Sequence, residues 1–218
     1  MRHFIKSVVR MLPKRLQDFI YRQVLNSRNK RIVEKWKQDG SKVPPPHQVK
    51  QLVIQEYGKD YGIRTLIETG TYFGDMVEAQ RGNFETIFSI ELGEDLWKKA
   101  CERFSPYPGI KILQGDSGVV LHRIMPQVDR PALFWLDGHF SAGVTAKGEK
   151  DCPIYEELDA IFAHSRLDHV ILIDDARCFV GEGDYPTIEN LSNYIRAKNS
   201  GYDILIKDDI IRAAILKK

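Results

Sequence analysis

The order of apolar and polar positions sets a helical front segment apart from the rest of the chain. Between residues 3 and 38, apolar residues recur at spacings of three and four, with Lys and Arg between them. This is the period of an amphipathic helix. Pro13 interrupts the pattern, so we expect two helices. Asp39-Gly40-Ser41 and the triple proline at 44–46 then end the helix and form a stiff connector.

From His47 onward, short and nearly all-apolar segments alternate with segments of helical period. The predicted strands are Arg64–Glu68, Thr86–Ile90, Ile110–Leu113, Ala132–Leu136, Val170–Ile173, Asp203–Lys207 and Ile210–Leu216. The predicted helices are His47–Tyr57, Asp75–Arg81, Glu94–Phe104, Ser117–Met125, Ile154–His164 and Thr187–Lys198. Apolar strands separated by helices indicate a parallel sheet that is covered on both faces. We therefore predict an α/β fold with an open, doubly wound, Rossmann-like sheet in residues 47–218, and an N-terminal helical extension in residues 1–46.

Composition excludes several classes of protein. The 218 residues are 43% hydrophobic, which is enough for a core and excludes disorder of the whole chain. No apolar run approaches the ~18–20 residues of a membrane span, and no stretch has the form of a signal peptide. Three cysteines without a CxxC motif argue against a disulfide framework or a cysteine zinc site. These features predict a cytoplasmic protein.

Charge is distributed unevenly along the chain. The net charge is +2, but residues 1–46 hold 12 Lys and Arg against 3 Asp and Glu, so the rest of the chain is acidic. Three interpretations of the basic extension stay open: a helical cap or homodimerisation arm, a basic face on anionic lipid at the inner face of the membrane, and nucleic-acid binding. No recognised motif supports the third interpretation, and we expect no nucleic-acid partner.

Carboxylates end or directly follow five successive predicted strands. Because the carboxyl ends of parallel strands meet at one edge of the sheet, these side chains are expected at one rim. Crowded carboxylates repel one another and need hydroxyl donors, an ammonium group or a cation. The sequence therefore predicts a binding site at this rim, formed by Glu68, Glu91, Asp116, Asp137 and the pair Asp174-Asp175.

Glycines after the first strand narrow the class of ligand. Gly70 and Gly74 let the backbone pass close to a ligand, but their GxxxG spacing differs from the GxGxxG of dinucleotide sites. Tyr72 and Phe73 crowd the place where a pyrophosphate would lie. A nucleoside with an amino-acid tail fits this pattern better than a dinucleotide.

Each part of such a nucleoside has a candidate partner in the sequence. Glu91 can take both ribose hydroxyls on one carboxylate. Asp116 and Ser117 can address the edge of the base, while Glu68 and the backbone of Gly70 face the tail.

The segment Glu68–Asp75, with Glu91, Gly115-Asp116-Ser117 and Asp137, resembles the class I S-adenosylmethionine-dependent methyltransferases. The resemblance covers residues 47–216 and is strongest to small bacterial members found beside polysaccharide or natural-product genes. It implies a seven-stranded sheet, S-adenosylmethionine as the methyl donor, and O-methylation of a sugar or natural-product acceptor. The donor-binding residues that it implies are Glu68, Thr69, Gly70, Thr71, Tyr72, Gly74, Asp75, Glu91, Asp116, Ser117 and Asp137.

Asp137 with Asp174-Asp175 resembles the metal-dependent O-methyltransferases of the catechol and macrolide-sugar type. The resemblance implies that these three carboxylates bind Mg²⁺, which would acidify the acceptor hydroxyl. The sequence departs from that pattern at Asp175, where asparagine is common, and at His139, where a lysine-bearing run is expected. His139 then becomes the candidate general base. The alternative is that Asp174 or Asp175 caps a helix or pairs with Arg177.

The segment from Ser141 to Lys150 is long for a strand–helix connection, which favours a lid or substrate loop. Lys147 within it is a candidate for binding an acidic acceptor group or for acting as the base; a solvated loop is the alternative. The catalytic candidates are therefore Asp137, His139 and Lys147. Two other functions stay open: a nicotinamide-dependent oxidoreductase, which the missing GxGxxG disfavours, and a non-catalytic nucleoside-binding protein.

Overall fold

The computed structural model describes residues 14–138, 151–164 and 167–216. The chain divides into two compact units, residues 1–50 and 51–218. In the first unit, helix α1 runs over Lys14–Gln38, and the indole Nε1 of Trp36 donates to the carbonyl of Lys42 at 2.7 Å. Within the described ranges, no helix is long and apolar enough to cross a membrane. The interruption predicted at Pro13 lies outside them.

The second unit contains a sheet of seven strands in the order β3-β2-β1-β4-β5-β7-β6. Strands β1 to β5 are parallel, and β7 runs antiparallel between β5 and β6. The predicted α/β fold with a mostly parallel seven-stranded sheet is therefore confirmed. The strands are β1 Thr65–Thr69, β2 Thr86–Glu91, β3 Ile110–Gln114, β4 Leu133–Leu136, β5 Val170–Ile173, β6 Tyr202–Lys207 and β7 Ile210–Ile215.

The helices follow the predicted pattern closely. Pro126 lies in a short 3₁₀ turn, Met125–Gln127, so the helix before it ends one residue earlier than predicted, in keeping with the proline's missing N–H. The helices are α2 His47–Tyr61, α3 Asp75–Gln80, α4 Glu94–Phe104, α5 Ser117–Ile124, α6 Ile154–His164 and α7 Ile188–Lys198.

Apolar side chains cover both faces of the sheet. In β4, Phe134 and Leu136 belong to one hydrophobic cluster, whereas Leu133 and Trp135 belong to the cluster on the opposite face. All four are almost fully buried. Because side chains alternate between faces along a strand, a strand that is covered on both sides must be apolar throughout.

Strand order reverses beside β1, which pairs with β2 on one side and with β4 on the other. Open α/β sheets bind ligands in the crevice beyond the carboxyl ends of the strands at such a point. The residues that follow β1 and β2, together with Asp137 and Gly138 after β4, therefore lie where a ligand is expected.

Candidate functional site

Glu68 is the fourth residue of β1, and its carboxyl group is buried. Its Oε2 accepts a hydrogen bond from the hydroxyl of Ser89 in β2 at 2.5 Å, and Ser89 is 2.6 Å from the hydroxyl of Thr71. Burial raises the pKa of Glu68 to about 8, with a smaller contribution from the negative charge of Glu91, while the Ser89 bond acts in the opposite direction. The structure thus places Glu68 inside the strand and not in the loop at the rim, and its predicted contact with the donor's tail stays a prediction.

The ends of β1 and β4 are in direct contact. The hydroxyl of Thr69 accepts a hydrogen bond from the backbone N–H of Asp137 at 3.1 Å. Gly70 has φ +85°, and a Cβ built there would lie 2.4 Å from the backbone oxygen of Asp137. Only glycine allows this backbone conformation and this approach without strain. Asp137, which directly follows β4, is therefore held beside the loop that follows β1.

Glu91, the last residue of β2, is fixed by backbone donors. Its Oε2 accepts from the N–H of Tyr72 at 2.7 Å, and its Oε1 accepts from the N–H of Gly93 at 2.9 Å. The residue is 5% exposed. An ionised carboxylate has about four acceptor sites on its two oxygens, so these two bonds orient the group and leave capacity for further donors.

Two aromatic residues protrude beside this carboxylate. Tyr72 has φ +49°, an uncommon conformation for a bulky residue that often marks a functional constraint. It is 43% exposed and Phe73 is 49% exposed, and their ring centroids are 4.1 Å apart. The sequence singled these residues out as obstacles to a pyrophosphate. Their exposure at the rim was not predicted.

Arg103 in α4 anchors the same loop, and sequence reasoning missed it. Its Nη1 donates to the backbone oxygen of Phe73 and to Oδ1 of Asp75 at 3.1 Å. Gly74, with φ +77°, lies against the ring of Phe104. Asp75, a predicted donor-binding residue, is thus engaged in an ion pair. A residue 28 positions away along the chain gives no local signal for such a contact.

Asp116 and Ser117 lie at the start of α5. Asp116 is the N-cap of the helix, and its Oδ1 accepts from the N–H of Val119 at 3.3 Å. Ser117 is buried. A Cβ on Gly118 would lie 2.7 Å from Cβ of Glu156 in α6, so the two helices pack closely here. The structure therefore brings Asp116 to the same rim as Glu91, with one oxygen already used as a helix cap.

In the acidic pair that follows β5, Asp175 forms an ion pair with Arg177. Oδ1 of Asp174 accepts from the N–H of Asp175 at 2.8 Å. Oδ1 of Asp175 pairs with Nη1 of Arg177 at 2.7 Å. Arg177 also pairs with Asp209 in the turn between β6 and β7. Burial lowers the pKa of this guanidinium, but the two carboxylates outweigh that effect and raise its pKa above the usual value.

No group of three or more His, Cys, Asp or Glu side chains suited to a metal ion occurs in residues 14–138, 151–164 and 167–216. The alternative interpretation of the sequence, in which Asp175 pairs with Arg177, is the arrangement in the structure. The Mg²⁺ site at Asp137, Asp174 and Asp175 stays a prediction, and the engagement of Asp175 counts against it.

The two candidate bases, His139 and Lys147, and the predicted lid loop lie outside the described residues. Of the predicted site residues that are described, the structure brings those after β1, β2, β3 and β4 to one rim. Glu157 near the start of α6 also lies there: it is buried, and its Oε1 is 2.9 Å from the place where a Cβ on Gly138 would be. Its position next to Asp137 was not predicted.

No protein-family model and no curated protein sequence matches the chain. Solved structures do match. An O-methyltransferase from Bacillus cereus in complex with SAH has a TM-score of 0.58 at 13% identity, covering 88% of this chain and 91% of that one. A protein from Staphylococcus aureus that is assigned as a caffeoyl-CoA O-methyltransferase has a TM-score of 0.55 at 12% identity, covering 91% of this chain and 97% of that one. The N-methyltransferase NodS from Bradyrhizobium japonicum has a TM-score of 0.50 at 13% identity, covering 78% and 97%. With the strand order and the rim described above, these similarities show that the chain has the Rossmann-like methyltransferase fold.

Proposed function

We propose that the protein is an S-adenosylmethionine-dependent O-methyltransferase that acts on a hydroxyl group of a sugar or natural-product acceptor. The observation that carries the proposal is Glu91 at the end of β2, with one backbone hydrogen bond on each oxygen. Its remaining acceptor sites suit two neighbouring hydroxyl donors, as on a ribose. Charge-assisted hydrogen bonds of this kind are about twice as strong as neutral ones.

The loop after β1 suits the amino-acid end of the donor. Gly70 has no side chain, and the backbone there lies against Asp137 at the crevice between β1 and β4. Asp116 and Ser117 begin a helix on the far side of Glu91, where they are candidates for contact with the base. When bound, S-adenosylmethionine supplies an electrophilic methyl group on a sulfonium centre.

The chain's own residues then have two tasks: alignment of donor and acceptor, and removal of a proton from the acceptor hydroxyl. Asp137 directly follows β4 and is held by Thr69, so it is the described residue best placed beside the reacting groups. His139 follows it by two residues and is our candidate base, because an ordinary imidazole, with a pKa of ~6.5, accepts a proton readily at neutral pH. Lys147 is the alternative.

The choice of a hydroxyl acceptor rests on the sequence resemblance and on the O-methyltransferases among the matching structures, such as those from Bacillus cereus and Staphylococcus aureus. The sugar or natural-product class rests on the sequence resemblance alone. The proposal does not depend on a metal ion, and one of the three carboxylates predicted to bind Mg²⁺, Asp175, forms an ion pair with Arg177.

The decisive experiment is a calorimetric titration with S-adenosylhomocysteine. We expect the unmodified protein to bind it and Glu91→Gln to bind about 10- to 100-fold more weakly, because the amide loses charge-assisted bonds worth ~1.5–3 kcal/mol. We expect the same affinity with Mg²⁺ and with EDTA, because the predicted ion would contact the acceptor and not the donor. Methyl transfer to a candidate acceptor, measured with Mg²⁺ and with EDTA, tests the metal assignment.

Glu85→Gln is the matched control. Glu85 directly precedes the same strand but lies at its opposite end, exposed and paired with Arg64, and its loss is expected to leave the affinity unchanged. If the unmodified protein bound S-adenosylhomocysteine neither with Mg²⁺ nor with EDTA, the methyltransferase proposal would be overturned. Equal binding by Glu91→Gln would show that the donor is held elsewhere.

A further inference from the structure

Strand β6 forms one edge of the sheet and carries apolar side chains that are open to solvent. Within the described part of the chain, it pairs only with β7. Leu205 is 47% exposed and Ile206 is 44% exposed, while Asp203 and Lys207 at either end are exposed as well. Proteins usually protect such an edge, because its free N–H and C=O groups can pair with another strand.

The turn between β6 and β7 determines which backbone groups point outward. It has two residues, Asp208 and Asp209, both with positive φ, and Lys207 pairs with Ile210 across it. In a turn of this type the closing pair is hydrogen-bonded. Since hydrogen bonding alternates along an antiparallel strand, Lys207 bonds to β7 and Ile206 directs its N–H and C=O outward.

The same alternation makes Ile204 outward-bonding and leaves Asp203 and Leu205 bonded to β7. Two copies of β6 can therefore bond only in registers that place Ile204 or Ile206 of one copy opposite an outward-bonding residue of the other. This condition leaves a small number of symmetric arrangements.

We propose that β6 is a homodimerisation edge, at which two copies of the chain pair antiparallel around a two-fold axis through Leu205. In this register Ile204 of each copy lies opposite Ile206 of the other and supplies the hydrogen bonds. Asp203 lies opposite Lys207 at both ends, and the two Leu205 side chains meet at the axis. Apolar residues meet apolar residues, and opposite charges meet at both ends, so the strand is complementary to itself.

Neighbouring registers lose this complementarity. A shift that centres the pairing on Ile204 places Asp203 opposite Leu205, and a shift that centres it on Ile206 places Leu205 opposite Lys207. Opposite-charge and apolar cross-strand pairs each stabilise a sheet by ~0.2–1 kcal/mol, and like charges destabilise it. The register centred on Leu205 pairs Ile204 with Ile206 and Asp203 with Lys207 on both sides of the axis, and a two-fold axis is the usual symmetry of soluble dimers.

Sedimentation equilibrium on the full chain tests the proposal. We expect a mass of twice 25.1 kDa for the unmodified protein. Lys207→Glu and Asp203→Lys each turn two attractions into two repulsions and are expected to raise the dimer dissociation constant by about tenfold or more. The double variant restores opposite charges and is expected to restore the dimer. Lys111→Glu on β3, the other edge strand, is the control and should stay dimeric.

Oxidative cross-linking tests the register. At the two-fold axis, the Leu205 Cα atoms of a non-hydrogen-bonded pair are ~4.5 Å apart, within the ~4.4–6.8 Å of a disulfide. Leu205→Cys is expected to form a covalent dimer. Ile206→Cys faces Ile204 of the other copy, so its own counterpart lies beyond reach, and it should not cross-link. The parent protein, with its three cysteines, sets the background.

A monomeric unmodified protein would overturn the proposal. So would a dimer that survives both single charge reversals, since it would use another surface, such as the basic residues 1–46. Cross-linking of Ile206→Cys but not Leu205→Cys would overturn the register. None of these outcomes bears on binding of S-adenosylhomocysteine, which is tested separately.

Discussion

At the scale of single residues, Glu68 and Glu91 differ in the donors that they accept hydrogen bonds from. Glu68 is buried, accepts one hydroxyl bond from Ser89, and has its pKa raised to about 8. Glu91 accepts two backbone N–H bonds and ends its strand. Desolvation disfavours the charged form of a carboxyl group. Glu68 is therefore suited to a neutral role inside the sheet, whereas the two N–H bonds fix the orientation of Glu91 at the strand end.

Glu68→Gln is predicted to stabilise the protein at high pH. Because the folded-state pKa of Glu68 lies above its unfolded value, the unmodified protein loses stability as the pH rises from about 4.5 to about 8. The neutral amide avoids this loss, so the variant is expected to gain on the order of a few kcal/mol of unfolding free energy at about pH 9. At about pH 4 the two proteins should be equal.

Urea unfolding at the two pH values measures the difference, and Glu85→Gln, an exposed site, serves as the control. A gain of the same size at both pH values would contradict the prediction, since it would show that charge burial is not its cause.

At the scale of elements, the site depends on how closely the loop after β1 approaches the end of β4. Gly70→Ala is predicted to destabilise the fold by about 2–4 kcal/mol, because it combines a positive φ with a Cβ only 2.4 Å from the backbone oxygen of Asp137. That oxygen cannot move without the strand end. We therefore expect S-adenosylhomocysteine binding to weaken together with stability.

Gly62→Ala separates the effect of backbone strain from the effect of the close contact with Asp137. Gly62 also has positive φ, +66°, but no atom lies within 4 Å of a Cβ built there. The Gly62→Ala variant is expected to lose only ~1 kcal/mol of unfolding free energy, from backbone strain, and to keep its affinity for S-adenosylhomocysteine. Equal losses of stability in the two variants, measured by urea unfolding, would show that the contact with Asp137 is unimportant.

At the scale of the whole molecule, a buried histidine gives the stability a second dependence on pH. His169 is 2% exposed, and its Nδ1 accepts from the N–H of Ala132 at 3.0 Å. Burial lowers its pKa to about 4. As the pH falls from ~6.5 to about 4, the unfolded chain takes up a proton that the folded protein does not, so stability falls by about 3 kcal/mol.

His169→Asn is predicted to reduce this acid loss, because the amide oxygen can still accept from Ala132 and does not titrate. Thermal unfolding between about pH 4 and about pH 7 measures the slope. The exposed His122 provides the control variant, His122→Asn, which should keep the slope of the unmodified protein. An unchanged slope in His169→Asn would assign the acid loss to other groups.

Glu68 and His169 change the stability in opposite directions as the pH varies over most of the acidic range. Glu68 destabilises as the pH rises and His169 destabilises as the pH falls. Above about pH 6.5 only Glu68 still contributes, so this pair by itself predicts declining stability between about pH 6.5 and about pH 8.

The amino-acid sequence by itself determined the elements of the second unit and their alternation. Helices Glu94–Phe104 and Ile154–His164 and strand Val170–Ile173 have the predicted limits, because apolar period and the residues that end an element are local properties. The parallel arrangement also followed from sequence, since strands that are apolar throughout must be covered on both faces. That reasoning was enough to expect Glu91, Asp116 and Asp137 at one rim, whereas Glu68 lies inside its strand.

Only the tertiary structure decided what each carboxylate contacts. Asp175 pairs with Arg177, Asp75 pairs with Arg103, and Glu68 is buried against Ser89. Arg103 and Ser89 come from elements distant in the chain, and burial depends on the packing of the whole sheet, so no local pattern reveals them. The charge, orientation and remaining hydrogen-bonding capacity of a side chain depend on those partners. For this reason the sequence could predict which rim of the sheet holds the candidate site. The hydrogen-bond and ion-pair partners of each carboxylate at that rim are determined by the tertiary structure.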